Sequence, residues 1–401
     1  MNPPGSRAGR SPRTRAFPDR APPRLLLNFT AYDALASGAR ERALGLAGAL
    51  LGLGAEVAVA EPRGADLASL VPVPAGSAPP RSLRTDLEPG RPLGRFLRSR
   101  RAFERLLAAE RPDAFLTDFY PVPRVPGVRT AVTVHDLRDL AGAVPGRAAR
   151  RAYFRAAYGR TLRRADLVVA PSEFARAEAV RRLGIDPARA VVVPNAVADA
   201  LRAPAAPGAS ARVRERFELP RRPYLLALGV LERRKNLHSL LRALEILHGE
   251  GRRVPALVVA GRGGPEEPRL RALADRLPAG SVHWAGYARP ADLPALIDGA
   301  RALVHPATYE GFGMPVVEAM ARGVPVACAG ASALPETAAG AAHLFDPLDA
   351  RAVADAVRAV CEDEALRALL AARGRARASA LTWEASARIL LRALALEVPA
   401  P

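Results

Sequence analysis

Short apolar runs alternate with amphipathic stretches along the first half of the chain. The apolar runs lie at 25–29, 55–60, 114–117, 130–134, 167–170 and 191–193. Helical spacing of apolar residues occupies 39–51, 93–110, 147–164 and 173–183. Because the apolar runs do not alternate with polar residues, they predict strands that are buried on both faces, as in a parallel sheet.

The same alternation restarts after a segment rich in proline, alanine and glycine, which spans 204–210 and continues at 220–223. Such a segment is typical of a linker. Beyond it, strands are predicted at 224–228, 256–260, 282–284, 302–305, 324–328 and 343–345, and helices at 237–247, 267–277, 290–298, 315–321 and 350–360. The chain therefore predicts an α/β protein with two parallel sheets that face a cleft, where ligands lie beyond the carboxyl ends of strands.

Length and charge narrow the class of protein. A chain of 401 residues fits two domains, and its formal net charge of +19 is carried almost entirely by arginine, because Lys235 is the single lysine. This excess is either a coding bias typical of a GC-rich genome or the mark of an anionic partner. The two cysteines, Cys328 and Cys361, exclude a disulfide scaffold and a zinc site built from cysteine alone. The first 24 residues predict a disordered basic tail, and no run approaches an apolar span of about 20 residues.

A glycine-rich loop follows the strand that ends at His305 and leads into a helix predicted from Pro315. Its glycines let backbone N–H groups approach a ligand closely. Glu310 in the loop and Glu318 in the helix are two carboxylates that can hold vicinal hydroxyls. A glycine-rich turn beside an exposed helix glutamate would look the same.

Two cations stand at the start of another helix. Gly229 closes a strand, and Arg234 and Lys235 precede the helix that begins near Asn236. A helix N-terminus with two cations suits a diphosphate, although a single lysine surviving by chance on a helix cap remains open. His135 also follows a strand, where it either faces a cleft or caps a turn. The other five histidines lie on separate elements without metal-ligand spacing and are interpreted as structural; they are His238, His248, His283, His305 and His343.

The segment Glu310-Gly-Phe-Gly-Met-Pro-Val-Val-Glu318 resembles the E-x7-E segment of family-4 glycosyltransferases, which are retaining enzymes of the GT-B fold. Similar segments lie at 229–237, 257–264, 284–287, 333–336, 345–347 and 381–383, and weaker ones at 132–136, 170–172 and 193–196. The arrangement is most similar to the branch that builds O-antigen and related cell-envelope glycans.

This resemblance implies two Rossmann-like, doubly wound domains facing a cleft. Their expected bounds are 25–200 for the acceptor domain and 223–378 for the nucleotide-sugar domain, joined by a linker at 201–222. A helix within 379–401, around Trp383, is expected to return to the first domain.

The resemblance also implies residue roles. Glu318 is expected to hold the ribose hydroxyls, Glu310 the sugar hydroxyls, His135 the donor sugar, and Arg234 with Lys235 the diphosphate. Donor contacts are further expected from the backbone of Gly229, Gly311, Phe312, Gly313 and Met314. Many relatives carry arginine directly after the first glycine; here Val230 stands there, so Arg233 or Arg234 must supply that charge. No Asp-x-Asp pair occurs, so we expect no metal and no cofactor.

The expected reaction is transfer of a hexose to a glycan or a lipid-linked acceptor. The Arg-Lys-Asn sequence favours GDP-mannose, with a UDP-hexose nearly as plausible a donor. A non-catalytic sugar-nucleotide or nucleic-acid binding protein is the alternative; as an enzyme the chain would not bind nucleic acid.

We expect a cytoplasmic protein, peripheral on the inner face of the membrane, where the arginines of 91–111 with Phe96 and Phe103 would rest on anionic lipid. An ordinary amphipathic helix packed on the first sheet is the competing interpretation.

Overall fold

The computed structural model describes residues 21–32, 37–87, 92–118, 122–141 and 162–396, with isolated positions at 152, 155, 156 and 159. The first sheet is parallel throughout and has the order β3-β2-β1-β4-β5-β6-β7. Its strands are β1 (Arg24–Asn28), β2 (Glu56–Pro62), β3 (Arg81–Thr85), β4 (Ala114–Thr117), β5 (Arg129–Thr133), β6 (Leu167–Ala170) and β7 (Ala190–Val192). The helices described with it are α1 (Gly38–Gly52), α2 (Pro92–Glu110), α3 (Arg138–Ala141) and α4 (Glu173–Leu183), with short 3-10 turns at Ala68–Leu70 and Pro187–Arg189.

The second sheet is also parallel and has the order β10-β9-β8-β11-β12-β13. Its strands are β8 (Tyr224–Leu228), β9 (Leu257–Ala260), β10 (Val282–Gly286), β11 (Ala300–His305), β12 (Val326–Ala329) and β13 (His343–Phe345). The remaining helices are α5 (Asp199–Arg202), α6 (Ala209–Arg216), α7 (Leu237–Gly249), α8 (Glu267–Ala274), α9 (Leu293–Asp298), α10 (Met314–Ala321), α11 (Leu334–Ala338), α12 (Ala350–Glu362), α13 (Glu364–Ala380) and α14 (Trp383–Ala393), with a 3-10 turn at Arg233–Lys235.

Burial explains why these segments form these elements. β8 and β9 are buried along their whole length, as expected for strands covered by helices on both faces. The apolar face of α7 is formed by buried leucines at helical spacing, namely Leu237, Leu240, Leu241, Leu244 and Leu247. Side-chain oxygens of Ser37, Ser172 and Asp349 cap the N-termini of α1, α4 and α12. The prediction of an α/β fold with two doubly wound parallel sheets is confirmed.

The chain returns to the first sheet at its C-terminal end. Helix α14 packs on α1, where a side chain at Gly45 would overlap the indole of Trp383. The hydroxyl of Ser386 donates a hydrogen bond of 2.7 Å to the carbonyl oxygen of Pro194. The last helix therefore ties the two halves of the chain together.

Several sequence-based boundaries need correction. Strand β3 was not predicted, and the segment 201–222, which was predicted as a linker, contains the end of α5 and all of α6. The basic tail predicted for 1–24 lies outside the described residues up to 20, while β1 already begins at Arg24. The helix predicted at 147–164 lies largely outside the described residues.

The prediction of exposed aromatic residues on α2 was wrong for Phe103, and the side chain of Phe96 lies outside the described residues. Phe103 is buried with its ring centroid 5.2 Å from that of Phe115 on β4. The described part of α2 is thus a helix packed on the first sheet. In the described part of the chain, no helix combines the length and apolarity needed to cross a membrane.

Candidate active site in the cleft

The candidate site lies where β8 and β11, neighbours at the reversal of strand order, reach their carboxyl ends. The 3-10 turn after β8 and the loop after β11 are joined by hydrogen bonds. The amide of Asn236 donates to the carbonyl oxygens of Pro306 and Pro347 at 3.1 and 2.7 Å, and the N–H of Thr308 donates to the carbonyl of Arg234 at 2.9 Å. Asn236, with φ of 55°, adopts the left-handed conformation that asparagine tolerates and starts α7 directly after the turn.

Three charged residues meet in this corner, and all three are buried. The ammonium Nζ of Lys235 lies 2.5 Å from Oε1 of Glu310, and Nη1 of Arg234 lies 3.0 Å from Oε2 of the same carboxylate. Arg234 also pairs with Glu232 at 2.6 Å. A Cβ at Gly229, whose φ is 137°, would lie 2.9 Å from Cε of Lys235. Glycine is therefore required there for the lysine to cross the end of β8.

The electrostatics keep Glu310 and Arg234 ionised. Burial alone would raise the pKa of Glu310, but Lys235, the hydrogen bond from His305 and Arg234 outweigh it, so its pKa lies well below the ordinary value. Burial lowers the pKa of His305, whose Nε2 lies 3.2 Å from Oε1 of Glu310. A neutral His305 that donates from Nε2 fits this carboxylate. His305 was interpreted as structural from the sequence, and the structure adds that it contacts Glu310.

Glu318 stands apart from the cluster. It is partly buried in α10, and among the described residues its carboxylate makes no hydrogen bond or ion pair. Burial and the nearby carboxylate of Glu41 raise its pKa to about 7, while Lys235 acts in the opposite direction. Its free carboxyl group is therefore within electrostatic range of Lys235 and available to a hydroxyl-bearing ligand.

Backbone donors line the start of α10. In the described part of the chain, the N–H groups of Phe312, Gly313 and Met314 donate no hydrogen bond. The loop that holds them is rigid, because Thr337 donates to the carbonyl of Phe312 at 2.6 Å and the N–H of Glu310 donates to Ser332 at 2.9 Å. Free N–H groups at a helix N-terminus favour a negatively charged or hydroxyl-bearing ligand.

The first sheet supplies the opposite wall. A Cβ at Gly311 would overlap the carbonyl oxygen of His135, so backbone from the two sheets touches here. Ser172 donates to the carbonyl of Gly311 at 2.6 Å, and the N–H of Leu137 donates to the hydroxyl of Tyr309 at 3.2 Å. The imidazole Nε2 of His135 lies 2.7 Å from Oδ2 of Asp118.

The geometry thus brings together Arg234, Lys235 and Glu310, with His135 across the cleft from the same loop. Arg233 is exposed, whereas Arg234 is buried within the cluster. Three residues that touch these groups were missed, namely Asp118, Glu232 and His305. Two of them could have been found, because Asp118 directly follows β4 and His305 ends β11, at the sheet edges where ligands bind. Among the described residues, no three His, Cys, Asp or Glu side chains converge as metal ligands.

Comparison with known proteins identifies the family. The description "Glycosyl transferases group 1" matches residues 211–377, and "Glycosyltransferase Family 4" matches residues 36–201. The chain belongs to these glycosyltransferases. Together the two matches cover the second sheet of this glycosyltransferase, the first sheet except β1, and every residue of the candidate site.

Two mannosyltransferases are similar to it in sequence. The O-antigen chain mannosyltransferase B of Escherichia coli is 32% identical over 221 residues, which are 55% of this chain and 58% of that protein. The serotype-specific mannosyltransferase WbdA of Escherichia coli is 27% identical over 235 residues, 57% of this chain and 28% of that protein. The glycosyltransferase thus spans little more than half of the first relative and about a quarter of the second.

The fold has solved counterparts. The sucrose-phosphate synthase of Thermosynechococcus elongatus superposes with a TM-score of 0.73 at 23% identity, over 93% of this chain and 98% of that one. The two parallel-sheet domains, together with this structural match, identify the GT-B fold.

Proposed function

We propose that this glycosyltransferase moves a hexose, with mannose favoured, from a nucleoside-diphosphate sugar to a hydroxyl of a glycan or lipid-linked acceptor in cell-envelope polysaccharide synthesis. The observation that carries the proposal is the buried cluster of Arg234, Lys235 and Glu310 at the carboxyl ends of β8 and β11. The two mannosyltransferase relatives support mannose.

The cluster suits a leaving diphosphate. Negative charge develops on the bridging oxygen as the glycosidic bond to the diphosphate breaks, and Arg234 and Lys235 are fixed cations that would neutralise it. The free N–H groups of Phe312, Gly313 and Met314 add donors that need no reorganisation. Glu310 would accept hydrogen bonds from the hexose, and Glu318 from the ribose.

Metal independence and retention of the anomeric configuration belong to the same proposal. The positive charge that a metal would supply is already present on Arg234 and Lys235, and retention follows from the family-4 resemblance. We expect EDTA to leave the rate of transfer unchanged. A loss of activity that added Mg²⁺ restores would overturn this part, and an inverted product by anomeric NMR would overturn retention.

The nucleotide is tested directly by binding. Thermal unfolding of the purified protein should be followed with GDP, UDP, ADP and dTDP, because a ligand that binds only the folded state raises the melting temperature. We expect GDP to give the largest shift. A larger shift with UDP would replace GDP-mannose by a UDP-hexose, and no shift with any nucleotide, combined with tight binding of duplex DNA, would reject the enzyme.

We further propose a cytoplasmic site of action at the inner face of the membrane. Arg100, Arg101 and Arg105 are exposed on α2 and could each contribute about 1 kcal/mol near an anionic leaflet. The protein should sediment with anionic vesicles at low salt and be released at high salt. Unchanged sedimentation after all three arginines are replaced by Glu would show that this helix is not the contact.

A further inference from the structure

A second buried network lies in the first sheet, behind His135. Asp118 follows β4, His135 follows β5, and Tyr32 follows β1, so three neighbouring strands deliver these side chains to one edge. Oδ2 of Asp118 accepts a hydrogen bond of 2.6 Å from the hydroxyl of Tyr32 and lies 2.7 Å from Nε2 of His135. A single carboxylate oxygen thus contacts both neighbours.

A buried arginine completes the network. Nη1 of Arg42 donates to the carbonyl of Val193 at 2.9 Å and to Oδ1 of Asn195 at 2.5 Å, whereas its Nε and Nη2 have no partner among the described residues. The guanidinium lines a cavity of about 30 Å³ together with Asp118 and Tyr32. Burial alone would raise the pKa of Asp118, but His135, Tyr32 and Arg42 together lower it to about 2. Asp118 is therefore a carboxylate at any pH at which the protein works.

An ionised carboxylate can only accept hydrogen bonds. Since Asp118 faces Nε2 of His135, that nitrogen must carry a hydrogen, and in the neutral form of the ring Nδ1 is then an acceptor. Among the described residues, Nδ1 has no hydrogen-bond partner. The His135 side chain is 26% exposed whereas that of Asp118 is 10% exposed, so the ring is the part of the pair that a ligand can reach.

We propose that Asp118 is a positioning residue that holds His135 as the Nε2–H tautomer, so that Nδ1 accepts a hydrogen bond from a substrate hydroxyl. The proposal rests on the proposed function for the identity of that substrate, a sugar of the donor or acceptor. Tyr32 and Arg42 support the same carboxylate. Removing a group that orients a catalytic histidine lowers activity by about 10- to 100-fold or more.

The tautomer can be measured without any substrate. The six histidines of the chain can be labelled with ¹⁵N and the His135 signals assigned from their loss in His135→Ala. We expect the neutral form of the wild-type ring, recorded at alkaline pH, to carry its hydrogen on Nε2 and this preference to be lost in Asp118→Asn, whose amide can also donate. A wild-type ring with its hydrogen on Nδ1 overturns the proposal, whether or not any sugar is transferred and whether or not Asp118→Asn folds.

Kinetics then separate positioning from a merely structural role. Asp118→Asn should lower kcat by about 10- to 100-fold in the wild-type background and by less than twofold in the His135→Ala background, because it acts through the ring. The matched control is Asp166→Asn at the opposite edge of the same sheet, where the carboxylate accepts from the N–H of Thr130 at 2.8 Å; its kcat should stay within twofold. Equal losses in both backgrounds would overturn the proposal. A complete absence of transfer by wild type, with the expected tautomer, would instead reject the proposed function.

Discussion

The ammonium of Lys235 lies 2.5 Å from Oε1 of Glu310, although the two residues are 75 positions apart in the sequence. The pair joins the turn after β8 to the loop after β11 and fixes a buried cation beside Gly229. Because arginine replaces lysine everywhere else in the chain, this position selects for a compact ammonium.

Replacing Lys235 should therefore lower the rate of sugar transfer strongly. Lys235→Ala removes one of the two buried cations and should lower kcat by about 10²- to 10³-fold, by analogy with other preorganised groups that stabilise charge in a transition state. Lys235→Arg should not restore activity, because the larger guanidinium would meet the backbone of Gly229. Steady-state kinetics with the sugar nucleotide measure both variants, and Arg233→Ala, which changes an exposed neighbour, serves as the control. Activity of Lys235→Ala within twofold of wild type would refute the role.

Gly311 should tolerate no side chain. Its Cβ would overlap the carbonyl oxygen of His135 and lie 3.1 Å from Cβ of Asp136, so Gly311→Ala must push the two walls of the cleft apart. Because misplacement of about 1 Å can cost about 10²-fold, we expect kcat/KM to fall by about 10- to 100-fold. Gly249→Ala is the matched control, since its Cβ meets nothing within 4 Å. Equal kinetics for the two variants would argue against a closed cleft as the active form.

Glu336 bridges the cleft at a second point. Its carboxylate accepts hydrogen bonds from the N–H groups of Glu173 and Phe174 at 2.7 and 3.2 Å, and so caps α4 from helix α11. Glu336→Ala should lower the free energy of unfolding by about 1 kcal/mol, which is the usual effect of losing a helix cap. It should also raise KM for the donor by up to about fivefold. Hydrogen exchange at these two amides should accelerate. The control is Glu364→Ala, whose side chain is 92% exposed; if it changes exchange at α4 equally, Glu336 is not the tie.

Glu318 should make stability depend on pH. Its pKa of about 7 in the folded chain exceeds the ordinary value, so the folded state binds this proton more tightly than the unfolded state. The resulting stability is fully present below about pH 4.5 and is lost as the pH rises through about 7, on the order of 1–3 kcal/mol. Thermal unfolding between pH 5 and pH 8 should show a falling melting temperature in wild type and a smaller fall in Glu318→Gln. Identical slopes would mean that another group titrates.

Much of the fold was predictable because strands buried on both faces leave continuous apolar runs. Strand β3 was not predicted because it is an edge strand with the sequence Arg-Ser-Leu-Arg-Thr, whose single leucine makes no apolar run. Helix α6 was not predicted for a similar reason, since Val213 is its only buried residue. The pattern of apolar residues along the chain indicates which positions are buried. An element with few buried apolar residues therefore leaves no pattern from which it could be predicted.

The candidate site was predictable in composition but not in contacts. Glycines and charged residues at strand ends indicated Arg234, Lys235 and Glu310, yet the contact of His305 with Glu310 depends on side-chain direction within one loop. The pair of Asp118 and His135 joins two strands, and although each residue follows a strand in the sequence, nothing in the sequence shows that the two are in contact. The helical pattern of α2 revealed an apolar face but not what covers it, which is why Phe103 was misjudged.

The most direct test of the account is sugar transfer itself. The purified protein should be incubated with GDP-mannose, and in parallel with UDP-hexoses, together with a mannose-terminated glycan acceptor, and the product should be measured by mass spectrometry. The account predicts a product heavier by one hexose with wild type and its loss to the order of a hundredth or less with Lys235→Ala. A folded wild-type protein that neither consumes nor hydrolyses any of these donors would contradict it.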